Sequence, residues 1–235
     1  MTPNRRIVVA IDGPSGAGKS TVARAVAKRL GILFLDTGAM YRAVAWAMLE
    51  QAELGKGGMG TDEAAIAAFL RRLRLRFSED GERISVQLDS GPARDVSAEI
   101  RTPRVTSVVS QVSAVPIVRE MLTREQQAIA AGRSVVAEGR DTTTVVFPHC
   151  DRKFFLTASL EERARRRKAE RPELEAVSLQ EVADEIAVRD ERDSTRSVAP
   201  LRMASDAVLI DTTGLSLDEV VERIVRECAE LLPAS

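Results

Sequence analysis

Gly13-Pro14-Ser15-Gly16-Ala17-Gly18-Lys19-Ser20-Thr21 is the stretch whose residue types and spacing speak most directly of chemistry. The pattern GxxxxGK(S/T) is that of a phosphate-binding loop. Its glycines let successive backbone N–H groups turn inward on an anion, and the helix that follows adds positive dipole. Lys19 then reaches the β and γ phosphates of a nucleoside triphosphate, and the Ser20 hydroxyl is placed for Mg²⁺, directly or through water. All nine residues are candidate triphosphate ligands.

Further groups suited to chemistry follow. Asp36, Thr37, Tyr41 and Arg42 share one segment, and Arg140 and Asp141 another. A guanidinium matches phosphate oxygens bidentately, so Arg140 pairs either with an acceptor phosphate or with an aspartate as a structural ion pair. Arg163, Arg165, Arg166, Arg167 and Lys168 form a basic run, and Arg189 to Arg196 a mixed one. Both are read either as solvated helix faces or as a lid that excludes water from a triphosphate. His149, the only histidine, has no nucleophile or metal partner in view. Cys150 and Cys228 lie far apart without a CxxC pair, which leaves two reduced thiols rather than a disulfide or zinc site.

The elements that must position these groups alternate. The β-branched run Arg6 to Ile11 predicts a buried strand, and Val22, Ala25, Val26 and Leu30 predict a helix over 21–30. A short strand over 32–35 ends at Asp36, where a second helix begins and runs to about Glu50. In an open parallel sheet, ligands sit beyond the carboxyl ends of the strands, a rule that sets Asp36, Thr37, Tyr41 and Arg42 beside the loop. Leu54 to Gly60 is a glycine-rich connection. A helix over 61–72, capped by Thr61, precedes alternating Leu73, Leu75, Phe77 and Ile84, Val86, Leu88, a hairpin turning at Asp80-Gly81. Residues 96–132 return to helix, interrupted by Pro103 and Pro116. Strands over 134–137, 153–157 and 207–211, helices over 160–171 and 178–196, and a last helix over 216–232 complete the pattern. The predicted fold class is α/β, a five-stranded parallel sheet with helices on both sides and an inserted hairpin subdomain.

At 235 residues the chain suits one large domain with such an insert. A net charge of −1 and 3% aromatic residues argue against a nucleic-acid polymer as partner. No apolar run approaches membrane-spanning length, and the first residues lead straight into a strand, so a cytoplasmic protein is expected.

Four segments together resemble the bacterial cytidylate kinases: Ile11 to Lys19; Leu35 to Arg42; Glu138 to Asp141 with Thr144 to Pro148; and Arg189 to Asp193 with Val198 to Leu201. Asp211-Thr212-Thr213 fits the same pattern. The resemblance implies a single P-loop kinase domain over 1–235, with a monophosphate-binding insert at approximately 61–115 and a lid at approximately 160–196. It implies phosphorylation of CMP and dCMP by ATP with Mg²⁺, UMP being a poor acceptor, and a monomer is expected. Carried over by motif, Ser110, Arg119 and Asp141 meet the cytosine, while Thr37 and Arg42 line the monophosphate pocket. Arg140, Arg189 and Arg196 lie near the phosphate, Asp193 and Arg189 address the sugar, and Arg192 approaches the transferring group from the lid side. Lys19, Arg140, Arg189 and Arg192 are the expected catalytic set. Thr142 and Thr143 depart from the family, which has an aliphatic residue and a glycine there.

Overall fold

The computed structural model describes residues 6–53 and 62–231; the connection read at Leu54 to Gly60 lies outside them. In chain order the elements are β1 (Val8–Asp12), α1 (Lys19–Leu30), β2 (Leu33–Asp36), α2 (Thr37–Glu53), α3 (Glu63–Arg72), β3 (Leu73–Phe77), β4 (Ile84–Leu88) and β5 (Arg94–Asp95). There follow α4 (Pro103–Ala114), α5 (Pro116–Gly132), β6 (Val135–Gly139), β7 (Arg152–Thr157), α6 (Leu160–Glu170), α7 (Leu179–Thr195), β8 (Val208–Asp211) and α8 (Leu217–Cys228). The chain divides into two compact units, Met1–Leu35 with Ala130–Ser235, and Asp36–Ile129.

The first unit holds the five-stranded parallel sheet, in the order β2-β6-β1-β7-β8. β1 pairs in parallel with β6 on one side and β7 on the other, Asp12 opposite Gly139 and Phe155. The strands are short runs of Val, Ile, Ala, Leu and Phe because both faces of the sheet are covered, so alternation is not required. Val22, Ala23, Val26 and Ala27 of α1 and Val220, Val221, Ile224 and Cys228 of α8 pack in one cluster with Val9, Ile11, Val136, Phe154 and Ile210. Ser216 and Glu219 form a reciprocal capping box that starts α8, and Ser178 and Glu181 do the same for α7. α6 packs along α7.

The second unit carries the antiparallel hairpin, with Leu73 opposite Leu88 and Phe77 opposite Ile84. A third short strand, β5, pairs with β4 and was not expected from the pattern. α2 packs against α4 and β4, with Trp46 in the core. Asp62 caps α3 by accepting from the Ala64 N–H; Thr61, expected as the cap, lies outside the described residues. The helical stretch is broken at Pro103 and Pro116 as expected, and each proline begins the next helix, where at the first helical position it gives up no intrahelical hydrogen bond. No helix among the described residues is long and apolar enough to cross a membrane.

Candidate active site

The phosphate loop leaves the end of β1 through Gly13, at φ +150, where an added Cβ would lie 2.0 Å from the Leu156 carbonyl oxygen. Only glycine allows β7 to approach so closely. Gly16 and Gly18 take left-handed conformations, at φ 79 and 81, and α1 starts at Lys19. Lys19 curls back so that Nζ donates to the Pro14 carbonyl at 2.7 Å. Burial pushes its ammonium down to about 7, and the Arg140 and Arg189 guanidiniums add to the fall, against opposing Glu138 and Asp12 carboxylates. The Ser20 hydroxyl donates to Glu138 Oε1 at 2.8 Å, joining the first turn of α1 to the end of β6.

Beyond β6 the chain makes a π-helical turn over Thr142–Val146. The fully buried Asp12 carboxylate accepts the N–H and hydroxyl of Thr142, at 3.0 and 2.6 Å, and those of Thr143, at 2.7 and 2.6 Å. Thr142 and Thr143 thus bind the end of β1. Arg140 and Asp141 are not each other's ion-pair partners. Arg140 Nε donates to Asp193 Oδ2 at 3.0 Å, and Asp141 Oδ1 accepts from Arg196 Nη2 at 3.4 Å, so both reach α7 or its C-terminal end. Arg196 Nε also donates to the Ala199 carbonyl at 2.6 Å, and Ala199 sits at φ 50 to present it.

The basic run of α6 rests on the phosphate loop. Arg163 and Asp190 both contact Ser15: Arg163 Nη1 donates to the Ser15 carbonyl at 2.9 Å, and Asp190 Oδ1 accepts the Ser15 N–H at 2.8 Å. Arg163 and Asp190 are themselves an ion pair. Arg167 spans Ser15 Oγ, at 3.4 Å, and Glu185 of α7, at 2.7 Å. Arg166 donates to the Thr212 hydroxyl and carbonyl at 2.9 and 2.7 Å. Arg165, by contrast, points to solvent and pairs with Glu161 of its own helix. The spacing 163, 166, 167 marks one helix face, which is the signal that separates these three from Arg165. Lys19, Ser20, Arg140, Asp141, Asp193 and Arg196 are therefore tied to the first unit's strand ends, with Arg189 near enough to act on the Lys19 ammonium, whereas Arg192 is exposed on α7.

In the second unit, Asp36 Oδ1 accepts the Ala39 N–H at 2.7 Å at the start of α2, next to buried Thr37. Its Oδ2 pairs at 3.1 Å with Arg101, which the sequence reading passed over. Arg101 is half exposed while Asp36 is buried, so the guanidinium keeps an open side. Arg42 Nη1 donates to Thr106 Oγ1 at 2.9 Å and the Ile100 carbonyl at 3.1 Å. Buried Arg119 lies 5.3 Å from the Tyr41 ring centroid and donates to the Ser113 carbonyl at 3.0 Å. Ser113 in turn donates to the carbonyl of half-buried Ser110. α2, α4 and α5 thereby gather Tyr41, Arg42, Ser110 and Arg119.

A family model described as cytidylate kinase matches residues 9–230. The chain belongs to the cytidylate kinase family. Membership places it among the nucleoside-monophosphate kinases, enzymes of nucleotide phosphoryl transfer. A cytidylate kinase of Symbiobacterium thermophilum is 50% identical over 227 residues, covering 95% of this chain and 96% of the relative. A cytidylate kinase of Carboxydothermus hydrogenoformans is 49% identical over 218 residues, covering 92% and 95%. Among solved structures, an uncharacterized protein from Eubacterium ventriosum superposes with a TM-score of 0.53 over 95% of this chain and 99% of its own, at 12% identity, a likeness of fold alone.

Proposed function

We propose that this chain transfers the γ-phosphoryl group of ATP to the phosphate of CMP or dCMP, giving ADP and CDP or dCDP. The observation that carries the proposal is the cytidylate kinase match across residues 9–230. In the transfer, the bond from the γ phosphorus to the β-bridging oxygen breaks as a bond to an acceptor phosphate oxygen forms. That oxygen is already ionised, so no strong general base is required. The protein's task is in-line positioning and cations on the transferring group.

Gly13 to Thr21 are assigned to ATP, and Lys19, Arg140, Arg189 and Arg192 to the transferring phosphoryl. The two guanidiniums felt by Lys19 support the first three as one electropositive cluster. The hydrogen-bonded pair Ser20 and Glu138 offers hard oxygens of the kind Mg²⁺ prefers, and phosphates and water complete its shell in such sites. Ser20 would hold it; when bound, it neutralises phosphate charge.

For the acceptor, Asp141 and Ser110 accept from the cytosine amino group and Arg119 donates to the ring acceptors. Uracil presents an acceptor in place of the amino donor and a donor in place of the ring-nitrogen acceptor, leaving buried groups unpaired at a cost on the order of 1–3 kcal/mol each. Asp36, Thr37, Tyr41 and Arg42 line the monophosphate pocket, with Arg140, Arg189 and Arg196 at the phosphate and Asp193 at the sugar. The insert at approximately 61–115 is assigned to the monophosphate and the helical pair at approximately 160–196 to the lid. We expect a cytoplasmic monomer.

The test is a product assay with MgATP against CMP, dCMP, UMP and AMP. CMP and dCMP are expected to be converted readily and UMP slowly. Preferred turnover of AMP or UMP would assign the chain to another acceptor.

A further inference from the structure

We propose that Asp190 and Arg163 are positioning residues that hold the phosphate loop in its binding form by gripping the Ser15 residue from both its polar backbone groups. The inference rests on the reading of the loop as the ATP site and goes beyond it. Asp190 accepts the Ser15 N–H and Arg163 donates to the Ser15 carbonyl, while the two side chains pair with each other. Both are largely buried, with 16% and 11% of their side-chain surface exposed, so the contacts are not diluted by solvent. Arg163 is fixed in turn by donating to the Ala158 carbonyl at 3.1 Å. Its backbone stands against the loop as well: a Cβ on Gly16 would lie 3.0 Å from both the Arg163 Cβ and its carbonyl oxygen.

This arrangement sets a protein carboxylate on one N–H of a loop built for anions. The Ser15 N–H is thereby spent, and the phosphates are left to the amides beyond it. Two effects of removing the Asp190 charge then oppose each other. A negative group near a triphosphate repels it, so neutralising the carboxylate alone would tighten ATP binding. Releasing Ser15 frees the turn that aims the remaining amides, which weakens binding. Because Arg163 already neutralises the carboxylate at contact distance, the ordering effect governs. The sign of the change therefore separates the two.

The experiment uses the full chain and measures ATP and CMP binding separately by titration calorimetry, with thermal melting alongside. In D190N the amide oxygen can still accept the Ser15 N–H, but its NH2 meets the Arg163 guanidinium donor to donor, so the pair that braces Ser15 is lost. ATP is expected to bind about tenfold more weakly, the scale of one lost charge-assisted hydrogen bond, with CMP binding within about twofold of native. R163K, which keeps the charge but loses the planar fork, is expected to do the same, and the double variant to be no weaker than the worse single one. Unchanged or tighter ATP binding in D190N overturns the proposal. So does equal weakening of both nucleotides in step with a lower melting temperature, the mark of a merely structural pair. If D190N does not fold, R163K decides alone by the same criteria. Failure of the native chain to phosphorylate CMP while it still binds ATP would remove the proposed function and leave this inference standing; a native chain that binds no ATP would overturn both.

Discussion

Thr143 donates twice to the buried Asp12 carboxylate, from its backbone N–H at 2.7 Å and its hydroxyl at 2.6 Å. With the matching pair from Thr142, this ties the segment that begins at Asp141 to the end of the central strand. Each hydroxyl satisfies part of a charge that has no water to turn to. Thr143→Val keeps the shape and the backbone bond but loses the hydroxyl, at a cost of about 1–3 kcal/mol. A fall in melting temperature of several degrees is expected by calorimetry. An unchanged midpoint would mean that the backbone N–H groups alone suffice.

Lys19 gives the site a pH dependence with a definite sign. In the free protein its ammonium is depressed to about 7, burial being the main cause. A bound triphosphate favours the charged form, so ATP binding at pH 8 is expected to take up a proton and to weaken as pH rises above about 7. Calorimetry in two buffers of different ionisation enthalpy reads that proton directly. Lys19→Met should abolish the uptake, fold normally and lose most of the transfer rate.

Asp141 pairs with Arg196 at 3.4 Å, and its neighbour Arg140 pairs with Asp193 at 3.0 Å. On the proposed reading, Asp141→Asn presents an amide that can donate to the uracil carbonyl. The ratio of kcat/KM for UMP to that for CMP is expected to rise about tenfold or more. Steady-state kinetics with both acceptors measure it, and an unaltered ratio would remove Asp141 from base recognition.

Gly13 has no room for a side chain, its virtual Cβ being 2.0 Å from the Leu156 carbonyl at a φ of +150. Gly13→Ala must push β1 and β7 apart at the centre of the sheet. The variant is expected to be recovered largely unfolded or insoluble, a loss of several kcal/mol. Recovery of native-like melting would contradict the packing described.

The parts legible in the sequence are those that local chemistry dictates. The spacing from Gly13 to Ser20 encodes a backbone path, and short β-branched runs bounded by helices encode a covered parallel sheet. β5 escaped because Arg94 and Asp95 are two exposed residues with no alternation to detect. Pro103 and Pro116 marked the helix breaks correctly, because a proline that stops one helix is also well suited to start the next. The long-range pairs could not be read at all. Arg140 meets Asp193 across 53 positions and Asp36 meets Arg101 across 65, separations over which spacing carries no register. Arg163 and Asp190 stood within runs read either as solvated helix faces or as a lid, and only their place on Ser15 singles them out. Ser110 and Arg119 entered through family resemblance, since nothing in their helices marks them otherwise.

The most direct measurement mixes the purified chain with MgATP and CMP and follows both products by chromatography. CDP and ADP should form in equal amounts, with little ADP when CMP is left out. ADP released without any CDP, or no turnover of CMP by a chain that binds ATP, would contradict the assignment of this loop and its arginines to cytidylate phosphorylation.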